Sequence, residues 1–308
     1  METKNGYLAT TKENVGGSWA LTRAEAEEFR AYRRQKRMGE AVSAISRSSA
    51  SITGKEDVVR VVEKALRHRQ AGIKTNLLRF SQSRDFLVKS GIKADIIIGG
   101  DGETISKVKA YEAKQARKLG GKEVTLVLTP SLLTTCRYGE IKKEIRKVKR
   151  AGKGLVFKVW ADKTYPFPTL VRMARISSEM GVNCFSVPYF AGCERLRYEL
   201  SRGCLLEICD LDNFADFKKM ARAGVGRMVT SCVSEIYAEW LREVEEELLL
   251  ESSVKSETKE KEEKTSETAL EKKENFVEEK KIEEKNMEEK NAEEKKPPVV
   301  ITSDLKFV

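Results

Sequence analysis

The sequence predicts an α/β protein built on one (β/α)8 barrel, the TIM-barrel fold, with a helical N-terminal extension and a disordered, charged C-terminal tail. Short runs of β-branched and apolar residues alternate with longer amphipathic stretches between residues 46 and 250. About eight such units fit into this region, as the barrel requires. The apolar runs are nearly continuous, which is typical of parallel strands covered on both faces. A doubly wound sheet shares the alternation, but the number of units favours the barrel.

Residues 1–45 form the predicted extension. A polar stretch is followed by LTRAEAEEFRAYRRQKRMGEAVSAI, which has the composition of a basic helix. Thr22 is a good N-cap for it, and Glu25 lies three residues further on, as in a capping box. The apolar stripe of this helix is weak, so we expect it to pack on the barrel or on a partner protein.

Residues 46–250 form the predicted barrel. Its strands, in order, are SASI, IKTNLLRF, ADIIIGG, EVTLVLTP, LVFKVWA, CFSVPYF, LLEICDL and RMVTSC. Its helices begin near Lys55, Gln82, Glu103, Tyr138, Pro168, Cys193, Asn213 and Val233. The helical pattern is clear where Ile141, Ile145 and Val148 recur at three-to-four spacing with Lys and Arg between them.

Residues 251–308 form the predicted tail. Within it, VEEKKIEEKNMEEKNAEEKK is a five-residue repeat with one apolar residue in each copy. Five residues turn a helix by about 500°, so the apolar residues make no stripe. Such a segment buries too little surface to offset its ordering entropy, and we expect it to be disordered. The closing PPVVITSDLKFV either adds a strand to a partner or to the barrel or, as we expect, is an unstructured end.

Composition narrows the classes of function. The chain has 6 cysteines and 1 histidine, without a C-x-x-C pair, which argues against zinc. His68 lies in the charged stretch KALRHRQ, so a surface histidine is expected rather than a catalytic one. No run approaches the ~18 apolar residues of a membrane span, and no apolar run follows Met1. We predict a cytoplasmic protein with free thiols and with no metal, cofactor or membrane partner.

The chain is basic, with a formal net charge of +10 at pH 7. Its positive charges recur on nearly every predicted helix and are interleaved with Glu. This pattern is typical of a solvated helical surface. Binding to nucleic acid stays open as a less favoured alternative.

Lys158 is the first candidate for chemistry. It lies between Phe157 and Val159 in the fifth predicted strand, where a lysine is costly unless it is paired or deprotonated. If it points into the barrel with a lowered pKa, its amine is a nucleophile toward carbonyls. The alternative is a structural lysine held by a carboxylate, and Glu207 in LLEICD is the candidate partner.

The glycine-rich sequence GGDGE at 99–103 lies between a predicted strand and a predicted helix. Glycines in such a turn let backbone amides approach an anion, but the Gly-Lys-Ser/Thr ending of a P-loop is missing. We therefore predict a tight turn capped by Asp101.

Thr230 and Ser231 follow the eighth predicted strand and precede a helix. Barrels often bind phosphate at this place. Asp210 and Asp212 follow the neighbouring seventh strand, and two carboxylates there would repel a phosphate dianion.

These strands and turns, in this order, resemble the deoxyribose-phosphate aldolase family, class I Schiff-base aldolases with a (β/α)8 barrel. The resemblance spans residues 48 to 241. It is carried by ISKVKAYEAKQARKLGGKEVTLVL, YGEIKKEIRKVKRAGKGLVFKVWADKT, ARISSEMGVNCFSV and NFADFKKMARAGVGRMVTSC. It implies a small carbonyl or sugar-phosphate ligand and leaves a homodimer open.

The resemblance also implies roles for individual residues, and most of the expected chemistry is missing. The Schiff-base lysine that ends the family's sixth strand corresponds to Ser186, and the second lysine, on strand seven, corresponds to Leu206 or Glu207. The proton-moving aspartate of strand four corresponds to Thr125. Only the fifth-strand lysine is retained, as Lys158.

The family's phosphate-binding turns are also changed. The glycine pair after strand seven corresponds to Cys209 and Asp210, and the serine pair after strand eight to Ser231 and Cys232. Because a hydroxyl cannot form an iminium, Ser186 removes the electron sink of an aldolase.

We therefore expect a catalytically degenerate aldolase-like barrel with a binding or scaffold role. It is expected to reach protein partners through its N-terminal helix or its tail. The alternatives are an active lyase that uses Lys158 and a nucleic-acid-associated protein. The candidate site residues are Lys158 as the catalytic group and Thr125, Ser186, Glu207 and Ser231 as substrate-binding groups.

Overall fold

The fold is described from a computed structural model, for residues 23–52, 57–251 and 253. The predicted cap Thr22 and residues 254–308 of the predicted tail lie outside this range. The chain divides into two compact units, and the boundary in the sequence lies after Glu245. In the second unit, residues 246–251 and 253 are helical. The first unit contains the barrel.

Eight parallel strands close into a barrel, so the (β/α)8 fold predicted from the sequence is confirmed. The strands are β1 (Ser48–Ile52), β2 (Gly72–Asn76), β3 (Lys93–Ile98), β4 (Glu123–Val127), β5 (Val156–Trp160), β6 (Cys184–Pro188), β7 (Leu205–Cys209) and β8 (Arg227–Val229). Each strand pairs with the next along the chain. The barrel closes where Ser48 of β1 pairs with Met228 of β8.

Helices connect the strands and cover the barrel. They are α1 (Arg23–Ser46), α2 (Val58–Arg67), α3 (Leu77–Gln82), α4 (Arg84–Ser90), α5 (Ser106–Lys118), α6 (Pro130–Thr134), α7 (Tyr138–Ala151), α8 (Phe167–Glu179) and α9 (Phe214–Arg222). A 3-10 helix, Cys193–Glu199, stands between β6 and β7. The helix that follows β8, α10, occupies residues 233–245 of the first unit.

The helical spacing predicted the buried face of α7 correctly, because Ile141, Ile145 and Val148 are fully buried. The second predicted strand was too long. The side chain of Asn76 accepts the backbone N–H of Arg79 at 2.9 Å and so begins α3, as an N-cap does. The residues LLRF are therefore helical.

The C-terminal half of α1 packs on the barrel. Met38, Ala41, Ala44 and Ile45 are buried, and Glu40 Oε1 accepts a hydrogen bond from Arg222 of α9 at 3.0 Å. From the sequence, α1 was expected to pack on the barrel or on a partner protein. In the structure it packs on the barrel. Within the described part of the chain, no helix is both long and apolar enough to cross a bilayer.

Candidate functional site

The strand register brings charged and polar side chains together inside the barrel. Lys74 pairs in register with Asp95 and Asp95 with Glu123, Thr125 pairs with Lys158, and Ser186 pairs with Glu207 and Glu207 with Arg227. Branched aliphatic residues dominate the interior of most (β/α)8 barrels. This barrel has a polar and charged interior instead.

Lys158 is fully buried at the centre of this interior, with 0% of its surface exposed. Its Nζ lies 2.9 Å from Asp95 Oδ2, 2.8 Å from Glu123 Oε2 and 2.6 Å from Glu207 Oε2. Burial by itself lowers the pKa of this amine, but the surrounding carboxylates, with Asp95 and Glu207 foremost, raise it well above its ordinary value. Lys158 is therefore held in its charged form. The Glu207 partner predicted from the sequence is one of three.

Lys74 on β2 is a second interior lysine, which the sequence analysis did not single out. Its Nζ lies 2.5 Å from Glu207 Oε1, 3.7 Å from Asp95 Oδ2 and 3.6 Å from Cys209 Sγ. Burial lowers the pKa of Lys74, but the Cys209 sulfur and the carboxylates of Glu207 and Asp95 outweigh it and raise the pKa above its ordinary value. Glu207 thus bridges the two lysines, and they lower the pKa of its carboxyl well below the usual range against the effect of burial.

Arg227 completes the charged cluster at the start of β8. Its NH1 donates to Glu123 Oε1 at 3.1 Å, and its NH2 lies 3.0 Å from Glu123 Oε2. Its Nε lies 3.6 Å from Glu207 Oε2. Three cations and three carboxylates of the described interior therefore balance in charge. Removal of one member would leave a buried charge without compensation.

Ser186 and Thr125 are both fully buried. Their hydroxyls donate hydrogen bonds to carboxylates of this cluster. The hydroxyl of Ser186 donates to Glu207 Oε1 at 2.7 Å. The hydroxyl of Thr125 lies 2.8 and 2.9 Å from the two oxygens of Asp95. The structure thus brings four of the five predicted site residues together, but as partners in a network of hydrogen bonds and ion pairs.

A cavity of about 570 Å³ opens at the carboxyl ends of the strands, where barrels of this fold place their active sites. Its buried lining includes Lys74, Thr125 and Cys209. Its more exposed lining includes Trp160, Tyr165, Asp101, Asp162 and Asp210. Among the described lining residues Lys74 is the one amine, and Lys158, Ser186 and Glu207 are not part of the lining.

Asp210 stands where the resemblance places a glycine, and its backbone has a left-handed conformation. Its φ is +60°, a left-handed value that aspartate tolerates better than most residues. Burial raises the pKa of its carboxyl, and the neighbouring Asp212 raises it further. The cavity therefore meets a carboxylate side chain at a position where a glycine would expose backbone.

Ser231 is separated from the other predicted site residues. It lines a second cavity of about 360 Å³, together with Arg60, Lys64 and Gln70. Its backbone N–H donates to Asp212 Oδ1 at 2.9 Å. Asp212, whose carboxylate was expected beside Ser231 from the sequence, is thus in direct contact with it.

Two other predictions concern features near the site. The GGDGE turn forms as predicted, with the Glu103 N–H donating to Asp101 Oδ1 at 3.1 Å. Gly102 has a φ of +96°, and a Cβ there would lie 2.4 Å from the carbonyl oxygen of Leu128. His68 is half-buried against α10 rather than freely exposed, since its Nε2 lies 3.0 Å from the Ser234 hydroxyl.

Two of the residues that the sequence analysis missed carry the same signal that identified Lys158. Lys74 and Asp95 each lie within an apolar strand run, whereas Glu123 and Arg227 are the first residues of theirs. A charged residue inside such a run is costly unless it is paired. Applied to every strand, that criterion would have found Lys74 and Asp95.

The closed barrel and the cavity at the carboxyl ends of its strands define a (β/α)8 protein with a candidate ligand site. No protein-family model matches the chain. Deoxyribose-phosphate aldolase of Actinobacillus succinogenes is 28% identical over 105 residues, which are 34% of this chain and 47% of that protein. The Clostridium novyi enzyme is 28% identical over 131 residues, 42% of this chain and 59% of that protein. These two matches span about half the length of the relatives.

A third relative is matched along most of its length. Deoxyribose-phosphate aldolase of Caldanaerobacter subterraneus subsp. tengcongensis is 26% identical over 205 residues, 61% of this chain and 88% of that protein. The chain is therefore similar to a deoxyribose-phosphate aldolase along most of that relative's length.

Solved structures agree with this fold. The aldolase QR15 superposes with a TM-score of 0.59 and 16% identity, over 65% of this chain and 96% of that one. The tetrameric deoxyribose-phosphate aldolase of Aeropyrum pernix superposes with a TM-score of 0.55 and 18% identity, over 68% of this chain and 96% of that one.

Proposed function

We propose that this barrel binds a small polar ligand in its central cavity and does not form a Schiff base with it. The observation that supports this most directly is the placement of Lys158. A Schiff base requires an unprotonated amine that can reach a carbonyl carbon. Lys158 is fully buried, lies within 3 Å of three carboxylates and has no part in the cavity lining.

The sixth strand supports the same proposal. The resemblance places the family's Schiff-base lysine at Ser186, whose hydroxyl cannot form an iminium. That hydroxyl is fully buried and donates to Glu207. A carbonyl ligand in the cavity therefore meets neither a nucleophilic amine nor a free hydroxyl from this strand.

A Schiff-base lyase that uses Lys74 is the second candidate. One observation favours it, since the Lys74 side chain lines the cavity. Its 2.5 Å contact with Glu207 opposes it, because the carboxylate stabilises the protonated amine and an ammonium group is not a nucleophile. The lyase expected from the sequence, through Lys158, has weaker support because that amine has no access to the cavity.

Borohydride trapping tests these alternatives. The full-length protein is incubated with deoxyribose 5-phosphate or with acetaldehyde and then reduced with borohydride. Intact mass and peptide mapping then locate any adduct. A deoxyribose-phosphate aldolase that carries the family lysine serves as the positive control. Lys163→Met serves as the matched lysine control, because Lys163 is exposed and lies outside the interior cluster.

The proposal predicts no adduct on an interior lysine, with any modification confined to exposed lysines. An adduct on Lys74 that is lost in Lys74→Met would establish the second candidate. An adduct on Lys158 would contradict both, since it requires the cluster to open.

A further inference from the structure

The side-chain carboxylate of Asp212 accepts a hydrogen bond from the Ser231 backbone amide, which follows the last strand. Asp212 Oδ1 accepts the Ser231 backbone N–H at 2.9 Å and the Ser231 hydroxyl at 2.8 Å. The Thr230 hydroxyl lies 3.3 Å from the same oxygen and accepts the Cys232 N–H at 3.0 Å. The Ser231 and Cys232 N–H groups, which precede α10, are therefore engaged by acceptors within the chain.

This position has a general significance in barrels. Phosphate is frequently bound by the loops after strands seven and eight together with a helix N-terminus. The exposed N–H groups of the helix start supply the attraction for the anion. Here those two loops carry Asp212 and Ser231, so a carboxylate occupies the place at which a phosphate oxygen would accept.

The neighbouring cavity adds like charge. Three carboxylates, those of Asp101, Asp162 and Asp210, belong to its lining. The cavity cation Lys74 is already paired with Glu207 at 2.5 Å. A phosphate dianion would therefore meet repulsion without gaining a hydrogen bond from the Ser231 amide.

From this geometry we infer that Asp212 is a specificity-determining residue, an internal anion that keeps phosphate from the Ser231 amide at the second cavity. A small polar ligand in the central cavity, which rests on the binding role proposed above, therefore gains no phosphate contact at this amide.

The surroundings of Ser231 predict the effect of removing the carboxylate. The Nζ atom of Lys64 lies 3.3 Å from the Ser231 carbonyl oxygen, and Lys64 lines the second cavity together with Arg60. Glu235 lies 3.0 Å from the Lys64 ammonium and remains as a counter-charge. Asp57 also lines this cavity and lies 3.9 Å from Arg60 Nε. Asp212→Ala thus frees an amide and a hydroxyl in a cavity that Lys64 and Arg60 line, which favours phosphate binding there.

The experiment titrates the full-length protein with inorganic phosphate and follows binding by calorimetry, with chloride at matched ionic strength as the reference. Three proteins are compared: the unchanged chain, Asp212→Ala and Asp212→Asn. The asparagine variant keeps an acceptor oxygen in place and removes the charge. Circular dichroism confirms that each variant is folded.

The inference predicts no saturable phosphate binding by the unchanged protein. Asp212→Ala should bind phosphate at least about tenfold more tightly, as a regained charge-assisted hydrogen bond implies. Asp212→Asn should bind phosphate less tightly than Asp212→Ala. A folded Asp212→Ala protein that gains no phosphate affinity would overturn the inference.

Saturable phosphate binding by the unchanged protein would also overturn it, whether or not the alanine variant folds. Neither result depends on borohydride trapping. A failure of the inference about Asp212 is therefore distinguishable from a failure of the proposal that no Schiff base forms.

Discussion

Glu207 Oε2 lies 2.6 Å from Lys158 Nζ, and Glu207 Oε1 lies 2.5 Å from Lys74 Nζ, so that one carboxylate holds both lysines. Glu207 lies on β7, Lys158 on β5 and Lys74 on β2, which makes the pairing a product of barrel closure. This pairing raises the pKa of both amines and so favours their protonated forms. The bridging carboxylate therefore stabilises a charged interior and supports the proposal that no Schiff base forms.

Neutralising the bridging carboxylate should destabilise the fold strongly. Glu207→Gln leaves Lys158 and Lys74 buried with reduced compensation, and breaking a buried ion pair costs about 3–5 kcal/mol. Urea unfolding followed by circular dichroism measures the change. Glu235→Gln is the matched control, because Glu235 is exposed and pairs with Lys64 at the surface, where a pair contributes about 0–1 kcal/mol. Equal effects for the two variants would contradict the assigned role.

The dependence of the unfolding free energy on pH in the acidic range should depend on the ionisation of Glu207. The pKa of Glu207 is lowered in the folded protein, so its contribution is present above the unfolded pKa, about 4.3 for glutamate. That contribution is lost as the pH falls from there toward the folded pKa. We therefore expect the free energy of unfolding to decrease steadily below about pH 4.3. A stability that stays constant down to pH 2 would contradict this assignment.

The dependence of the unfolding free energy on pH in the alkaline range should depend on the ionisation of Lys158 and Lys74. The pKa values of Lys158 and Lys74 are raised in the folded protein, so their contribution is complete below the unfolded lysine pKa of about 10.4. It is lost only as the pH rises above that value toward the folded pKa. Urea unfolding at pH 8 and pH 9 should therefore give the same contribution from these pairs. The opposite result would be a loss of stability between pH 8 and pH 9 that disappears in Lys74→Met or Lys158→Met. It would contradict the raised lysine pKa values.

The cavity thiol should be unreactive. Burial raises the pKa of Cys209 to about 12, and the thiolate is the reactive form of cysteine. Cys136 is exposed and is expected to react first with a thiol reagent at neutral pH. Peptide mapping after timed labelling measures both residues, and Cys136→Ser removes the fast phase. Rapid labelling of Cys209 in the folded protein would indicate an open cluster.

A second buried ion pair should behave as a structural unit. The fully buried Lys109 donates from Nζ to Glu144 Oε1 at 2.8 Å and to Thr129 Oγ1 at 2.8 Å. Lys109→Met should cost about 3–5 kcal/mol of unfolding free energy because Glu144 is left unpaired, and replacing both residues by apolar ones should restore much of it. Urea unfolding measures each variant, with Lys107→Met as the control on the exposed face of α5. A double variant no more stable than Lys109→Met would contradict this pairing.

The barrel was predictable because its signals are local. Near-continuous apolar runs specify parallel strands, and the spacing of Ile141, Ile145 and Val148 specifies the buried face of a helix. The second strand was predicted too long because the Asn76 cap is one side-chain hydrogen bond. The run of apolar residues continues through the cap and conceals it.

The candidate site was predictable only in part. Lys158 and its partner Glu207 were found because a lysine between Phe157 and Val159 requires an explanation. Lys74 carries the same local signal but was not singled out. Its pairing with Glu207, which lies 133 positions away in the sequence, forms only when the barrel closes and could not be read from the strand. The hydrogen bond between Asp212 and Ser231 depends on two loops whose positions no local pattern specifies.

The protonation state of the interior lysines tests the account most directly. Nitrogen-15 and carbon-13 NMR of labelled lysine side chains, recorded from pH 6 to pH 11, gives the pKa of each amine, with Lys74→Met and Lys158→Met for assignment. We predict that the Lys158 and Lys74 amines remain protonated beyond the ordinary lysine pKa of 10.5. Either amine losing its proton near neutral pH would contradict the account, because a nucleophile for a Schiff base would then be present.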